Sequence, residues 1–380
     1  MTASSEELDL FRDNVCRFLV DEVEPHYDAW EKAGIFPKEL YLKLGENGLL
    51  CVDQPEEYGG AGAPFAFSMV VIEEVSRMGF LALASNLSVH SDIAAPYILH
   101  LGSEAQKKKY LPRMASGECI GAIGMTEPGA GSDLQGIKTT AMPDGDGYVI
   151  NGSKTFITNG QHAGVVVLAT KTDPKAGAKG TTLFTVDAAL PGFKRGRNLE
   201  KIGLHSADTS ELFFDNLHVG ADEVLGRVGG GFGHLIDELP RERLALAVSA
   251  IWHAQGALDK TLEYVTQRKA FGTAIASFQN TRFELARIKT DIEVNRAFVE
   301  KCAALYAEGK LDAATGAMAK LATTELEGRV TDACLQLFGG YGYMQEYPIS
   351  RFWTDARIQR IYGGTSEIMK EIIARTMVGR

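Results

Sequence analysis

The chain has 380 residues, 45% of them hydrophobic and 23% charged, which is the composition of a globular protein with room for two or three domains. A net charge of −10 argues against nucleic acid as the main partner, because phosphate binding requires a basic surface. The five cysteines form no CxxC pair and the eight histidines form no HExxH-type cluster, which argues against a metal site and favours reduced, buried thiols.

The first residues, MTASSEE, are acidic and lack the apolar core of a signal peptide. No apolar run approaches the ~20 residues that a membrane span requires, and the last three residues are not a peroxisomal signal. We therefore expect no membrane span and a cytoplasmic location.

Helical spacing dominates the first 119 residues. Leu8, Phe11, Val15 and Phe18 recur on one helix face, and Ser5 is placed to act as the N-cap. A second helix is predicted from Met69 to about Gly79, after a loop rich in glycine. We predict an N-terminal helical domain over residues 1–119.

The apolar period changes to two between residues 120 and 232. Two Asn-Gly pairs, at 151–152 and 159–160, follow β-branched and aromatic runs and predict hairpins. Further strands are expected at 165–170, 181–186 and 211–219. This part is predicted to be a middle antiparallel β domain.

Helical spacing returns from residue 233 to residue 380. Segments without interior proline span about 241–268, 278–308 and 312–338, and a shorter helix follows. They predict a C-terminal four-helix bundle. The fold class is therefore an α+β multidomain protein in the order helices, sheet, helices. Since strands and helices do not alternate, a Rossmann sheet is not favoured.

The densest motif is the segment 124–136, GMTEPGAGSDLQG. Its glycines allow a backbone to approach a flat or phosphorylated ligand closely, and Thr126 and Ser132 add hydroxyl groups. Glycine content alone would favour a tight turn between strands.

The order of residues in this motif resembles the first signature of the acyl-CoA dehydrogenase family. Four further blocks agree in family order: KTFITNG at 154–160, QRKAFG at 267–272, QLFGGYG at 336–342 and IYGGTSEI at 361–368. The resemblance spans nearly the whole chain and implies the family's fold and its cofactor, FAD.

By this resemblance, Met125, Thr126, Gly131 and Ser132 line the isoalloxazine and ribityl part of FAD. In the second block, Phe156 stands where many relatives have tryptophan, and Thr158 is expected near flavin N5. From the residues alone, Phe156 and Thr158 would form an ordinary strand pair. The implied cofactor set includes Ile157 between them.

The resemblance assigns the rest of FAD to residues near a subunit interface. Arg268 and Phe271 look like contacts to the pyrophosphate and adenine, and arginine suits a pyrophosphate through its forked donors. On a bare helix, Arg268 would be a solvated charge. The other implied contacts are Gln279, Gln336, Gly339, Gly340, Thr365 and Glu367. One FAD site would then need two chains, and the family norm is a homotetramer, a dimer of dimers.

The family's reaction requires a carboxylate to take the α proton of an acyl thioester. Many members carry it in a Tyr-Glu-Gly-Thr block, but this chain has glycine there, at Gly363. Glu242 lies instead on a helical stripe of leucines, where lost solvation would raise its pKa. An ion pair with Arg243 is the alternative that periodicity leaves open. The long-chain and isovaleryl branches carry the base at the position of Glu242.

The same resemblance implies the substrate contacts. Gly363 would leave space for the acyl chain and donate its N–H to the thioester carbonyl, together with a ribityl hydroxyl of FAD. The expected product is trans-2-enoyl-CoA, and an electron-transferring flavoprotein is the expected acceptor. The other implied contacts to acyl-CoA are Ser132, Leu239, Arg243, Tyr362 and Gly364.

Two other functions fit parts of the pattern. An acyl-CoA oxidase or a flavin monooxygenase would have the same fold, but its flavin would react with oxygen. A non-catalytic subunit that binds CoA esters or flavin would use the fold within a hetero-oligomer. Glu242 and the intact flavin blocks favour the dehydrogenase, with a long-chain or branched substrate whose acyl length the sequence does not define.

Overall fold

Helices, a sheet and helices again follow one another in the computed structural model, which describes residues 5–379. This is the order that the change of apolar period predicts. The first part holds seven α-helices: α1 Ser5–Phe18, α2 Tyr27–Ala33, α3 Lys38–Glu46, α4 Phe65–Arg77, α5 Leu81–Leu87, α6 Ala95–Leu101 and α7 Glu104–Ala115.

The predicted helix near residue 70 is α4, and it ends before Gly79, whose φ of 82° only glycine adopts easily. Two π-helical segments, Leu19–Val23 and Ser88–Ala94, continue α1 and α5. The capping role predicted for Ser5 concerns a side chain outside those that the structure describes.

The middle part is one eight-stranded sheet. Its strands are β1 Ile120–Gly124, β2 Thr140–Asp144, β3 Gly147–Thr158, β4 Ala163–Lys171, β5 Thr181–Asp187, β6 Phe193–Asn198, β7 Thr209–Gly220 and β8 Val224–Leu225. The order is β6-β7-β3-β2-β4-β5-β8, with β1 also on β4. Most pairs are antiparallel, as predicted, but β1 and β2 pair with β4 in parallel.

Neither Asn-Gly pair forms a hairpin, so both hairpin predictions are wrong. Asn151 and Gly152 lie inside β3, where a bulge shifts its register against β7. Asn159 has a φ of 64° and connects β3 to β4, which are not neighbours in the sheet. Its fully buried side chain bonds Tyr41 and the backbone of Asn86 and Gly121, so the turn ties the sheet to the first helices.

The last part contains α8 Gly231–Gln267, α9 Gln279–Ala307, α10 Ala313–Phe338, α11 Pro348–Gln359 and α12 Ser366–Val378. A short ribbon, β9 Lys269–Ala270 and β10 Thr273–Ala274, joins α8 to α9. The sequence predicts one short helix after the three long ones, but the structure has two, α11 and α12. The first long helix begins at Gly231, close to residue 233 where helical spacing is predicted to return, and Pro240 lies inside it.

All five cysteines have free thiols, and all but Cys16 are buried. No helix in the described part of the chain combines the length and apolar character that crossing a bilayer demands. Residues 5–379 also hold no group of three or more histidine, cysteine or acidic side chains placed to bind a metal ion.

Candidate active site

The glycine-rich segment after β1 is held by a buried ion pair. Lys154 Nζ lies 2.8 Å from Glu127 Oε1 and donates to the carbonyl of Met125 at 3.0 Å. Glu127 also accepts from the backbone N–H groups of Lys138 and Thr139. Burial alone would raise the pKa of Glu127, but the charge of Lys154 and these donors lower it, so the carboxylate is charged.

A bulge in β3 shapes the surface beside this segment. The register against β7 shifts between Lys154 and Ile157, and Phe156 has a φ of 60°. The ring of Phe156 is therefore 66% exposed, while Ile157 points into the core of the sheet and Thr158 is half-buried. Bulges often redirect side chains next to functional sites. Ile157 can meet a ligand only through its backbone.

The backbone connects the segment directly to this bulge, because the N–H of Thr155 donates to the carbonyl of Thr126 at 2.9 Å. Gly131 and Ser132 are exposed farther along the same segment. Met125 and Ala130 pack in one apolar cluster with Tyr97 and Leu235. The segment, α6 and the start of α8 thus share one core.

Helix α8 is anchored next to Pro240 by Arg241. This guanidinium donates to Asp53 at 2.6 Å and to Tyr306 at 3.1 Å, and it lies 3.4 Å from Asp92 Oδ1. It also stacks over Phe65, 4.5 Å from the ring centroid. These contacts fix the orientation of α8 about its own axis. The next residue, Glu242, consequently faces inward.

Glu242 is 4% exposed, as its place among the leucines predicts. Within residues 5–379, no cation lies within ion-pairing distance of its carboxylate, so the predicted alternative of an Arg243 pair is not formed. Instead, the hydroxyl of Tyr97 donates to Oε1 at 3.0 Å. Burial raises the pKa of Glu242 to about 7, although this hydrogen bond and the charge of Arg243 act in the opposite direction.

The turn between α11 and α12 meets α8 one helical turn beyond Glu242. Gly363 and Gly364 have φ values of 62° and 97°, and a Cβ on Gly363 would overlap Leu246 Cδ1. Leu246 therefore packs directly against Gly363, so position 363 admits a larger residue only if Leu246 shifts. The predicted space for an acyl chain beside Gly363 stays a prediction. The turn is held by Lys320, whose ammonium donates to the carbonyl of Gly364 at 2.7 Å.

Two buried cations stand beside this turn. Arg243 is 3% exposed, and its Nε has no hydrogen-bond partner among the described residues. Burial lowers the pKa of Arg243; burial and the Arg243 charge lower that of Lys320 to about 8. Leu239 and Tyr362, which lie close in sequence to Arg243 and Gly363, are both half-buried. The hydroxyl of Tyr362 donates to Gln359 at 3.0 Å.

A separate cleft of about 550 Å³ lies at the far end of α8. Four predicted cofactor residues line it: Arg268, Gln336, Gly339 and Gly340. The guanidinium of Arg268 lies 5.1 Å from the ring centroid of Tyr341. The cleft thus has the cationic and aromatic groups that suit a phosphorylated, flat ligand.

Four other predicted cofactor residues do not line this cleft. Phe271 is 98% exposed with a φ of 51°, and Gln279 is exposed at the start of α9; neither lines the cleft. Thr365 caps α12 by accepting from the N–H of Ile368, and Glu367 is exposed. The predicted residues therefore form three groups: around Phe156, around Glu242 and around Arg268.

The sequence reading missed Tyr97, Lys320 and the roles of Glu127 and Lys154 in shaping this site. Glu127 belongs to the glycine-rich motif and Lys154 to the KTFITNG motif, and the opposite charges of these two motif residues were the available signal. Tyr97 and Lys320 gave no local signal, since their partners lie far along the chain.

Models of one protein family match three successive stretches of the chain. The acyl-CoA dehydrogenase N-terminal domain matches residues 5–118, the middle domain 122–217 and the C-terminal domain 229–378. The chain belongs to the acyl-CoA dehydrogenase family.

Individual relatives agree over nearly the full length of this acyl-CoA dehydrogenase family member. The mitochondrial long-chain specific acyl-CoA dehydrogenase of Sus scrofa is 46% identical over 376 residues, 98% of this chain and 87% of that protein. A crystal structure of acyl-CoA dehydrogenase from Geobacillus kaustophilus is 47% identical, with a TM-score of 0.96 over 99% of both chains. The chain is therefore an oxidoreductase of this family.

One solved relative bears on the cofactor. A glutaryl-CoA dehydrogenase from Mycobacterium smegmatis, in complex with FADH2, is 27% identical, with a TM-score of 0.93 over 99% of this chain and 96% of that one. The acyl-CoA dehydrogenase family is a family of flavoproteins.

Replacing Gly363 with alanine should lower both the melting temperature and the turnover of this family member. A φ of 62° costs a residue with a Cβ about 1–2 kcal/mol, and overlap with Leu246 adds about 1–3 kcal/mol. Thermal unfolding and steady-state rates measure the two losses.

The Gly309→Ala variant separates the two costs, because Gly309 has a φ of 68° and no atom within 4 Å of the place where a Cβ would stand. We expect a smaller loss of stability there. Equal losses at both glycines would show that Leu246 does not restrict position 363, and Leu246→Ala should partly rescue the Gly363→Ala variant.

Proposed function

We propose that this chain is an FAD-dependent acyl-CoA dehydrogenase that forms trans-2-enoyl-CoA, with Glu242 as the base for the α proton. The observation that carries the proposal is a buried carboxylate that has no counter-ion in the described part of the chain, on the helix that faces the Gly363 turn. Such a group has a raised pKa and accepts a proton readily near neutral pH.

The residues present fit FAD at two places. Beside the exposed Phe156 ring, Gly129 and Gly131 have no neighbouring atoms where a Cβ would stand, which leaves room for a flat ring system. Gly339 and Gly340 are equally open at the Arg268 cleft. We assign the flavin and ribityl end to the first place and the adenine and pyrophosphate end to the second.

The first place would use Met125, Thr126, Gly131 and Ser132 from the glycine-rich segment, which the Glu127–Lys154 pair holds in shape. Phe156 and Thr158 would face the ring system from β3. At the second place, Gln336 and Arg268 line the cleft. We propose that Phe271, Gln279, Thr365 and Glu367 complete it in the assembled oligomer.

In the proposed mechanism, bound FAD supplies the hydride acceptor for the β position. Glu242 removes the α proton, and its burial in an apolar stripe keeps competing water away from the carboxylate. The N–H of Gly363 donates to the thioester carbonyl, where negative charge develops. Arg243 adds a buried positive charge beside this site, and Lys320 holds the turn through Gly364.

The pH dependence of kcat/KM follows from the raised pKa of Glu242. Only the deprotonated carboxylate accepts a proton, so kcat/KM should rise as pH increases through about 7. The deprotonated fraction grows from about one tenth at pH 6 to about nine tenths at pH 8. Steady-state rates across this range measure the effect, and a constant kcat/KM would contradict it.

An anaerobic scan of acyl-CoA esters tests the proposed function. Esters of increasing length and branching are mixed with the flavin-loaded enzyme, and bleaching of the flavin absorbance is followed. We expect bleaching with long or branched chains and slow reoxidation when air is admitted. Rapid peroxide formation would identify an oxidase, and no bleaching with any ester would contradict catalysis.

We further propose a long-chain or branched substrate, because the Sus scrofa relative is long-chain specific and the base lies on α8. An electron-transferring flavoprotein is the proposed acceptor. The proposed homo-oligomer, a dimer of dimers, is supported by the 98% exposure of the Phe271 ring. Light scattering of the purified enzyme gives its mass.

A further inference from the structure

The carboxylate of Glu242 receives one side-chain hydrogen bond within residues 5–379, and it comes from another helix. Tyr97 lies on α6, is fully buried and places its hydroxyl 3.0 Å from Glu242 Oε1. The same hydroxyl is 3.5 Å from the carbonyl of Leu235, at the start of α8. The shorter distance and the charge of its partner make Glu242 the preferred acceptor.

We propose that Tyr97 is a positioning residue that fixes the carboxylate of Glu242 for proton abstraction. The proposal rests on the proposed role of Glu242 as the base and adds a residue from the N-terminal helices to its site. A glutamate side chain has three rotatable bonds, and no cation holds this one. The phenol is rigid and sits in the apolar cluster with Leu235, Met125 and Ala130, so it restricts Oε1 to one direction.

The hydrogen bond also stabilises the charged form of the base. The ionisable groups that act on the carboxylate are Tyr97 on α6 and Arg243 and Glu238 on α8. His100 on α6 lies beside Glu238, and Lys320 on α10 is influenced by Arg243. His100 is paired with Glu238 at 2.7 Å, and Lys320 is bonded to Gly364. The charge of Arg243 lowers the pKa of Glu242 and that of Glu238 raises it, while burial is the largest influence. Tyr97 is the one member that bonds the carboxylate directly.

The test compares Tyr97→Phe with the parent enzyme, both loaded with FAD, by measuring kcat and kcat/KM from about pH 5 to 9. Phenylalanine keeps the ring and removes only the donor. We expect the acid limb of kcat/KM to move upward by about one pH unit, since the carboxylate loses its stabilising donor. The rate should fall about tenfold at low pH through this shift. A smaller loss should remain at high pH, where the carboxylate is charged but is no longer held in one direction.

Tyr110→Phe is the matched control. Tyr110 is fully buried on α7, and its hydroxyl lies 3.3 Å from a different carboxylate, that of Glu223. We expect no movement of the acid limb in this variant. An unmoved limb in Tyr97→Phe, or an equal movement in both variants, would overturn the proposal.

The Glu242→Gln variant distinguishes this proposal from the proposed function. If Glu242→Gln loses turnover and Tyr97→Phe leaves the acid limb in place, only the role of Tyr97 fails. If Glu242→Gln turns over normally, the assignment of the base fails, and with it the reason for a positioning residue.

Discussion

The Glu242→Gln variant is expected to lose turnover by about 10³–10⁴-fold while it still binds FAD and CoA esters. Glutamine has nearly the same shape, and its carbonyl oxygen can still accept from Tyr97, but an amide cannot take up the α proton. The buried position is also relieved of a charge, so the fold should not be weakened. Single-turnover reduction of the flavin under anaerobic conditions measures the loss.

Flavin absorbance and titration with a CoA ester show whether the Glu242→Gln variant keeps its ligands. Glu263→Gln, an exposed position on the same helix, is the control and should turn over like the parent. A flavin-loaded Glu242→Gln enzyme with parental turnover would remove Glu242 from the mechanism. Loss of flavin together with activity would instead point to a structural role.

Lys154→Met should cost about 3–5 kcal/mol of stability, because it leaves the carboxylate of Glu127 buried without its counter-ion. The carbonyl of Met125 loses a donor in the same change. We expect the glycine-rich segment to lose its shape, so the variant should be purified with little flavin. Thermal unfolding and flavin content per chain are the measurements.

A second substitution distinguishes the missing charge from the missing volume. Adding Glu127→Gln removes the unpaired charge and keeps one acceptor oxygen, so one of the two N–H groups, of Lys138 or Thr139, keeps its partner. The double variant should therefore be more stable than Lys154→Met alone. Lys289→Met breaks an exposed pair with Glu293 and should leave the melting temperature nearly unchanged. Similar losses in all three variants would contradict the role of the buried pair.

The order of helices and strands was predictable because it depends on local apolar spacing, which changes near residues 120 and 230. The hairpins were not, because an Asn-Gly pair serves a bulge or a buried turn as well as a hairpin. Asn159 forms the buried turn, and its partners, Tyr41 and Asn86, lie on helices that are far from it in the sequence. Only the packed structure determines which of these uses applies.

The inward face of Glu242 was predictable from the leucines on its helix, but its partner was not. Arg243 follows it in sequence, yet successive residues on a helix point about 100° apart and do not face each other. Tyr97 is 145 residues away and reaches the carboxylate only because α6 packs against α8. The contact between Gly363 and Leu246 was not predictable for the same reason, since it depends on how α8 packs against the turn.

The contact between Gly363 and Leu246 couples these two positions of the chain. A side chain added at 363 requires Leu246 to shift or to be replaced by a smaller residue, and the φ of 62° strains any residue with a Cβ there. A smaller residue at 246 would leave a cavity beside the turn while residue 363 remains a glycine. Moving the carboxylate from position 242 to position 363 therefore involves position 246 as well, and it costs stability in either order.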